Sequence, residues 1–331
     1  MKVTVIGSGS WGSAFARTLA LNGHEVQVLA LTKAEADELN TRHENEYFLP
    51  GVRLPAAIGF WAMEEARLDA TELIVYAVPT QALRQVAAWV ATRRPADSLQ
   101  LALAKGLELG SLKRPTDVIE EEAGSLAAAL SGPNHAEEVA RDMPSATVVA
   151  CRDEQVAQLL QQAISCATFR VYTNSDVVGV EFCGAAKNPI ALAVGMSDGL
   201  GYGDNTRASL MTRSSAEMTR LGACLGAQVA TFAGLAGIGD LIATCTSQHS
   251  RNRLAGELLA KGVSPAEVEA KVGQVVEGIP TAYALHDLSR KLGIDMPVTE
   301  NVYEVLVNGR SPADSVRALM GREPTQEHSA Q

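Results

Sequence analysis

The sequence predicts an α/β fold, a doubly wound and mostly parallel sheet followed by an all-α C-terminal domain. Three observations predict it. From Met1 to about Thr173, short apolar runs alternate with alanine-rich helical stretches, the pattern of parallel strands joined by crossover helices. From Val177 to Leu319, Ala, Leu, Glu and Arg recur at helical spacing with almost no β-rich run. The first strand also runs directly into a glycine turn that opens a helix. The change of texture divides the chain into a dinucleotide-binding domain over 1–180, a helical substrate and catalytic domain over 181–322, and a flexible tail over 323–331 without an apolar anchor.

The strands are expected at Val3–Ile6, Glu25–Leu29, Leu73–Val78, Leu99–Leu103, Ala127–Leu130, Ala146–Ala150 and Phe169–Tyr172. Several are continuous aliphatic runs rather than alternating ones, as required when helices cover both faces of a parallel sheet. In the helical half, Gly226 follows one helix, Gly262 with Pro265 separates two others, and Gly293 with Pro297 separates two more.

The formal net charge of -10 argues against nucleic acid as the main partner, because that binding is driven by Lys and Arg. A small anionic substrate needs only a local cluster of cations. Cys151, Cys166, Cys183, Cys224 and Cys245 are odd in number and lack a CxxC pair, so neither a disulfide framework nor a zinc site is expected; no metal is assigned. They read as buried free thiols. No signal peptide and no uncharged span of about 20 apolar residues is visible, so a cytoplasmic protein without membrane insertion is expected.

Val3–Ile6, the turn GSGSWG at 7–12 and the stretch from Ser13 to Gly23 make strand, turn and helix in succession. Gly7 permits the tight turn, Gly9 lets backbone approach a pyrophosphate, and Gly12 lets the helix lie close on the strand, so a diphosphate meets free N–H groups. This is the Rossmann-type cradle. The acid expected about 20 residues further on, which would hold the adenine ribose, is missing from Ala30, Leu31, Thr32 and Lys33. Lys33 or Thr32 can tolerate a 2'-phosphate, so NAD and NADP both remain open, with a lean towards NADP or dual use.

Ligands of open α/β sheets sit beyond the carboxyl ends of strands, which points to Pro79 and Thr80, to Lys105 and Gly106, and to the SGPNH stretch of Ser131 to His135. In the helical half, Lys187 and Asn188 interrupt an otherwise apolar run. Burial and nearby positive charge would lower the lysine pKa into a range usable for proton transfer. Asp240 and Thr244 lie one helical turn apart, and Ser250, Arg251 and Asn252 bring hydroxyl, guanidinium and amide to a helix start suited to a phosphate. Taken alone, that triplet is equally a helix N-cap with a solvated arginine. Glu277, alone, is an exposed acid at a loop start. The six histidines show no metal-ligand spacing, and His135 is the one placed near the cleft.

Together these segments resemble the bacterial NAD(P)-dependent glycerol-3-phosphate dehydrogenases from Met1 to about Arg322. The motifs are GSGSWG at 7–12, AKGLE at 104–108, SGPNHAEE at 131–138, GAAKN at 184–188, and GIGDLIATCT with SRN between 237 and 252, with QVVEG at 274–278 also similar. The resemblance implies that Lys187 is proton acceptor and donor, and that Lys105, Asn188, Asp240 and Thr244 surround the reacting carbon. It further implies substrate contacts at Gly132, Asn134, Ser250, Arg251 and Asn252. Dinucleotide contacts are implied at Gly7, Gly9, Ser10, Trp11, Gly12, Lys105, Ala136, Arg251, Val275 and Glu277. The family commonly carries Trp-Gly-Arg or Trp-Gly-His after the second strand, and this chain has Ala30, Leu31 and Thr32 there, so that contact does not transfer.

The implied activity is interconversion of sn-glycerol 3-phosphate and dihydroxyacetone phosphate, supplying the former for phospholipid synthesis. Two alternatives stand beside it, a 3-hydroxyacid or 6-phosphogluconate-type dehydrogenase and a non-catalytic dinucleotide sensor. Pairing of the helical domain into a homodimer is left open by the sequence.

Overall fold

The computed structural model describes residues 1–323 and 326. The expected tail at 323–331 therefore lies almost wholly outside the described residues. Among those described, eight strands form one sheet: β1 (Lys2–Ile6), β2 (Glu25–Ala30), β3 (Gly59–Ala62), β4 (Leu73–Tyr76), β5 (Leu99–Ala102), β6 (Ala127–Ser131), β7 (Ser145–Ala150) and β8 (Phe169–Asn174). Their order is β3-β2-β1-β4-β5-β6-β7-β8, and every neighbouring pair is parallel except β6 with β7. The sequence order turns back between β1 and β4, which is where this architecture opens a crevice beyond the strand ends.

Strand β3 is absent from the sequence expectation. It is a four-residue edge strand with no aliphatic run, and Trp61 on it is about half exposed. It is held from the side: the Asn40 amide donates to the Phe60 carbonyl at 2.7 Å and accepts from the Phe60 N–H at 3.0 Å. A side chain 20 residues away in sequence therefore does what β propensity does not.

The sheet is covered by α1 (Ser10–Leu21), α2 (Lys33–Arg42), α3 (Leu83–Ala91), α4 (Pro115–Ala123), α5 (Ala136–Val139) and α6 (Glu154–Ile164). The helical half comprises α7 (Val177–Gly199), α8 (Asp204–Cys224), α9 (Val229–Phe232), a π turn (Leu235–Gly239), α10 (Asp240–Thr246), α11 (Arg251–Ala260), α12 (Pro265–Val272), α13 (Gly278–Leu292), α14 (Pro297–Asn308) and α15 (Pro312–Met320). Helices α13 and α14 are separated by Gly293, a left-handed cap, and Pro297 at the next helix start, as the sequence predicts.

Helix α7 is the axis of the helical half. By length and composition it could cross a membrane, yet nearly all of its apolar window is buried inside the protein, which is the property of a core helix. Asp176 caps its start, accepting from the Gly179 N–H at 2.9 Å, and also receives the Gln228 N–H at 2.8 Å and the Thr231 hydroxyl at 2.6 Å. Glu181, buried one turn on, accepts from the Thr116 N–H at 2.8 Å and so ties α7 to α4 beneath the sheet. Pro189 removes a helical donor directly after Lys187 and Asn188.

Helices α7 and α11 cross in near backbone contact. A Cβ on Gly195 would lie 1.9 Å from the Arg253 carbonyl oxygen, and one on Gly256 would lie 2.1 Å from that of Leu192. Because both obstructions are backbone, neither can rotate away. Gly256→Ala should therefore destabilise the fold by about 1–3 kcal/mol or more, the range for overpacking, read as a lower urea midpoint. An unchanged midpoint would mean that the helices part at no cost.

Of the five free cysteines, Cys151, Cys183 and Cys245 are buried as expected. Cys166 is half-buried and Cys224 is exposed, which corrects the uniform reading of buried thiols.

Candidate active site

Strands β1, β4, β5 and β6 deliver the glycine turn, Thr80, Lys105 and Gly132 to one edge of the sheet, and α7, α10 and α11 deliver Lys187, Asn188, Asp240, Thr244 and Asn252 opposite them.

Asp240 is the hub. It is buried, and its two oxygens divide the two lysines: Oδ1 accepts from Lys187 Nζ at 2.5 Å and Oδ2 from Lys105 Nζ at 2.8 Å. Burial alone would push the Asp240 carboxyl up, but Lys105 and Lys187 together hold it below the ordinary carboxylate range. Thr244 sits one turn on, accepting a hydrogen bond from Lys187 at 2.8 Å and placing its own hydroxyl 3.2 Å from Asp240. The π turn before Asp240 explains why a glycine-rich segment precedes it. A Cβ on Gly237 would lie 2.1 Å from the Phe232 carbonyl oxygen.

The two lysines differ in how they are used. Lys105 Nζ donates to the Gly132 carbonyl at 2.9 Å, to Asn134 Oδ1 at 2.8 Å and to Asp240, which engages all three of its protons. Lys187 donates to Asp240 and Thr244, which leaves one of its three. Burial lowers the Lys187 pKa to about 8; Asp240 opposes the shift and the positive charge of Lys105 adds to it. The ammonium is thus both poorly solvated and only partly committed.

Asn188 donates to the Lys105 carbonyl at 2.8 Å, fixing the loop after β5 against α7. Asn252 is tied to the frame of the site on both sides. Its Nδ2 donates to Asn188 Oδ1 at 2.9 Å and its Oδ1 accepts from the Gly278 N–H at 2.9 Å, so it braces Asn188 from behind. Ser250 is the N-cap of α11, accepting from the Arg253 N–H at 3.2 Å, and Arg251 is exposed, with Nη1 3.3 Å from the Val275 carbonyl. For Ser250 the plainer reading of the triplet, a helix cap, describes the geometry.

The glycine turn fits a dinucleotide phosphate. Gly7 has φ +109, a Cβ on Gly12 would lie 2.0 Å from the Gly7 carbonyl oxygen, and a Cβ on Gly9 would meet nothing within 4 Å. Helix α1 starts without a side-chain cap and without an acid in its first turn, so its N–H groups face that open space. Asn45 pins the turn from below, donating to the Ser8 carbonyl at 2.6 Å and to Ser13 Oγ at 2.9 Å. Of the expected contacts in α1, Ser10 places its hydroxyl 3.4 Å from Gln274 Oε1, and the Trp11 ring packs on Phe15 and Phe169. Ala136, at the start of α5, is buried against Ala14 and Leu49.

Glu277 is half-buried rather than an exposed loop acid. Its Oε1 accepts from the Thr80 N–H at 2.8 Å, and burial pushes its carboxyl above the ordinary value. It joins the end of β4 to the start of α13, with Val275 exposed beside it. His135, at the start of α5, lies 3.2 Å from the Ala243 carbonyl with its ring tilted over that of His249. Burial lowers its pKa, the Ala243 contact opposes this, and the Lys187 charge adds to it.

Sequence reasoning missed Glu35. The residues at 30–33 carry no acid, but Glu35, from the first turn of α2, places Oε1 2.5 Å from the Ser8 hydroxyl inside the glycine turn. The available signal was Thr32 followed three residues later by Glu35, a capping pattern; the Glu35 N–H donates to Thr32 Oγ1 at 3.2 Å.

Comparison with known proteins agrees with this geometry. Residues 2–157 match the model of the NAD-dependent glycerol-3-phosphate dehydrogenase N-terminus and residues 176–317 that of its C-terminus. A glycerol-3-phosphate dehydrogenase [NAD(P)+] of Shouchella clausii is 49% identical, over 97% of this chain and 96% of that protein. Its counterpart in Moorella thermoacetica is 50% identical over 98% and 97%. The crystal structure of glycerol-3-phosphate dehydrogenase from Coxiella burnetii superposes with a TM-score of 0.93 at 36% identity, covering 97% of this chain and 99% of that one. With both halves matched and relatives near half-identical along the whole length, the chain belongs to the NAD-dependent glycerol-3-phosphate dehydrogenase family.

Proposed function

We propose that the chain interconverts sn-glycerol 3-phosphate and dihydroxyacetone phosphate, with Lys187 moving the proton at the C2 oxygen. The nicotinamide of NAD or NADP, when bound, supplies the hydride acceptor or donor. The observation that carries the reading is the spare donor of a buried Lys187 beside a saturated Lys105. Lys105 and Asp240 then act as positioning groups, Thr244 orients the Lys187 amine, and Asn188 with Asn252 fixes the lysine loop. The glycine turn, with Gly7, Gly9, Ser10, Trp11 and Gly12, would hold the pyrophosphate. Arg251 is the exposed cation able to swing to the substrate phosphate or the dinucleotide, with Val275, Glu277 and Ala136 beside it. Five free thiols support a reducing, cytoplasmic compartment.

Following NADH and NADPH oxidation with dihydroxyacetone phosphate tests the reading. Turnover is expected with this substrate and not with 3-hydroxyacids or 6-phosphogluconate; dinucleotide binding without turnover would favour a sensor instead. The pH profile adds a second check. Reduction needs the protonated amine, and kcat/KM reports the free enzyme. With Lys187 at about 8, kcat/KM for reduction should fall above that pH, and kcat/KM for oxidation should rise towards it and level off. A reduction profile flat to pH 10 would remove Lys187 from the role.

A further inference from the structure

We propose that Glu35 selects NAD(H) over NADP(H), its carboxylate taking the adenine ribose hydroxyls beside the glycine turn and repelling a 2'-phosphate. The inference rests on the glycine turn being the dinucleotide cradle. Three elements converge there: Gly7 after β1 donates to the Leu29 carbonyl of β2 at 2.9 Å, and Glu35 of α2 bridges both. Its Oε1 accepts from Ser8 Oγ at 2.5 Å and its Oε2 from the Leu31 N–H at 3.3 Å. In this architecture the adenine ribose lies at that junction, where an acid ordinarily arrives from the end of the second strand. Here it arrives five residues later and is clamped to the same place. Each carboxylate oxygen has two acceptor sites, so one on each remains for a ribose hydroxyl.

The surroundings are unfavourable for a further anion. Next to the turn lies a cavity of about 450 Å³ lined by Glu35, Glu38, Glu44, Asn45 and Glu46 among others. The two cations of α2 are both engaged: Lys33 Nζ lies 2.8 Å from Glu65, and Arg42 pairs with Glu38 and Glu46. The sequence lean towards NADP relied on Lys33 and Thr32. In the structure Lys33 is drawn to Glu65, and Thr32 Oγ1 accepts from the Glu35 N–H. Leu31, between the strand and these residues, is 82% exposed and offers a 2'-phosphate nothing.

The test is binding rather than turnover. Titrating the full-length protein with NADH and with NADPH, followed by nicotinamide fluorescence, should give at least about tenfold tighter binding of NADH, since juxtaposed like charges are costly. ADP should displace bound NADH more effectively than 2',5'-ADP. Glu35→Gln should bring the two dinucleotides towards parity, and raised salt, which screens a half-exposed carboxylate, should narrow the wild-type ratio without any substitution. Equal affinities in the wild type, a ratio unmoved by Glu35→Gln in a folded variant, or one insensitive to salt would overturn the proposal. Binding of neither dinucleotide would overturn the cradle itself and this inference with it; equal binding of both would leave the cradle standing.

Discussion

Lys187→Ala should lower kcat for dihydroxyacetone phosphate reduction by about 10²-fold or more, the usual scale for losing a general acid or base, while dinucleotide affinity is kept. The expectation follows from where the proton can come from. Lys105 has its three donors committed to Gly132, Asn134 and Asp240, so it has none to give the substrate without breaking the contacts that place it. His135 is held towards its neutral form by burial and turned to the Ala243 carbonyl. Lys187 alone of the three combines a lowered pKa with an uncommitted donor. Steady-state kinetics with a separate NADH titration distinguish the two effects. A variant that turns over within a few-fold of the wild type would reject the assignment, and one that loses NADH affinity to the same extent as kcat would point to a collapsed cleft.

Much of this was legible in the chain because the signals are local. A continuous aliphatic run followed by Gly7, Gly9 and Gly12 identifies strand, turn and helix within a dozen residues, and the polar pair Lys187 and Asn188 stands out against the apolar helix that carries it. What was not legible depends on contacts between distant elements. Strand β3 exists because Asn40 pairs with Phe60 from a neighbouring helix, which no run of β-formers announces. Glu35 was passed over because an acid was sought in the strand rather than one helical turn beyond it, and only the fold brings it to Ser8. Asn252 carries a role that its sequence neighbours do not announce. They suggest a phosphate ligand, and its contacts with Asn188 and Gly278 also tie it to the frame of the site. Local pattern thus names the chemistry, and the third dimension shows which side chains hold one another in place.

Asp240→Asn should be the most damaging single change to the site, acting on stability and on pH response together. The native carboxylate is shared by two ammonium groups, with Lys187 buried completely enough that its pKa already lies at about 8. Removing the charge leaves two cations facing a neutral amide, and breaking a buried pair from one side costs about 3–5 kcal/mol. The cheapest relief is for Lys187 to release its proton, which moves its folded pKa further below the unfolded value. A lysine depressed in this way disfavours the folded state increasingly as pH falls from the unfolded pKa through the folded one, because the unfolded chain takes up the proton first. The deficit in Tm of Asp240→Asn relative to the wild type should therefore be larger at pH 7 than at pH 10, where Lys187 is neutral in both. In the same variant the alkaline fall of kcat/KM for reduction should move below pH 8. A Tm deficit independent of pH, together with an unmoved alkaline limb, would show that Asp240 does not hold the proton on Lys187 and that the two lysines are kept apart by something other than their shared carboxylate.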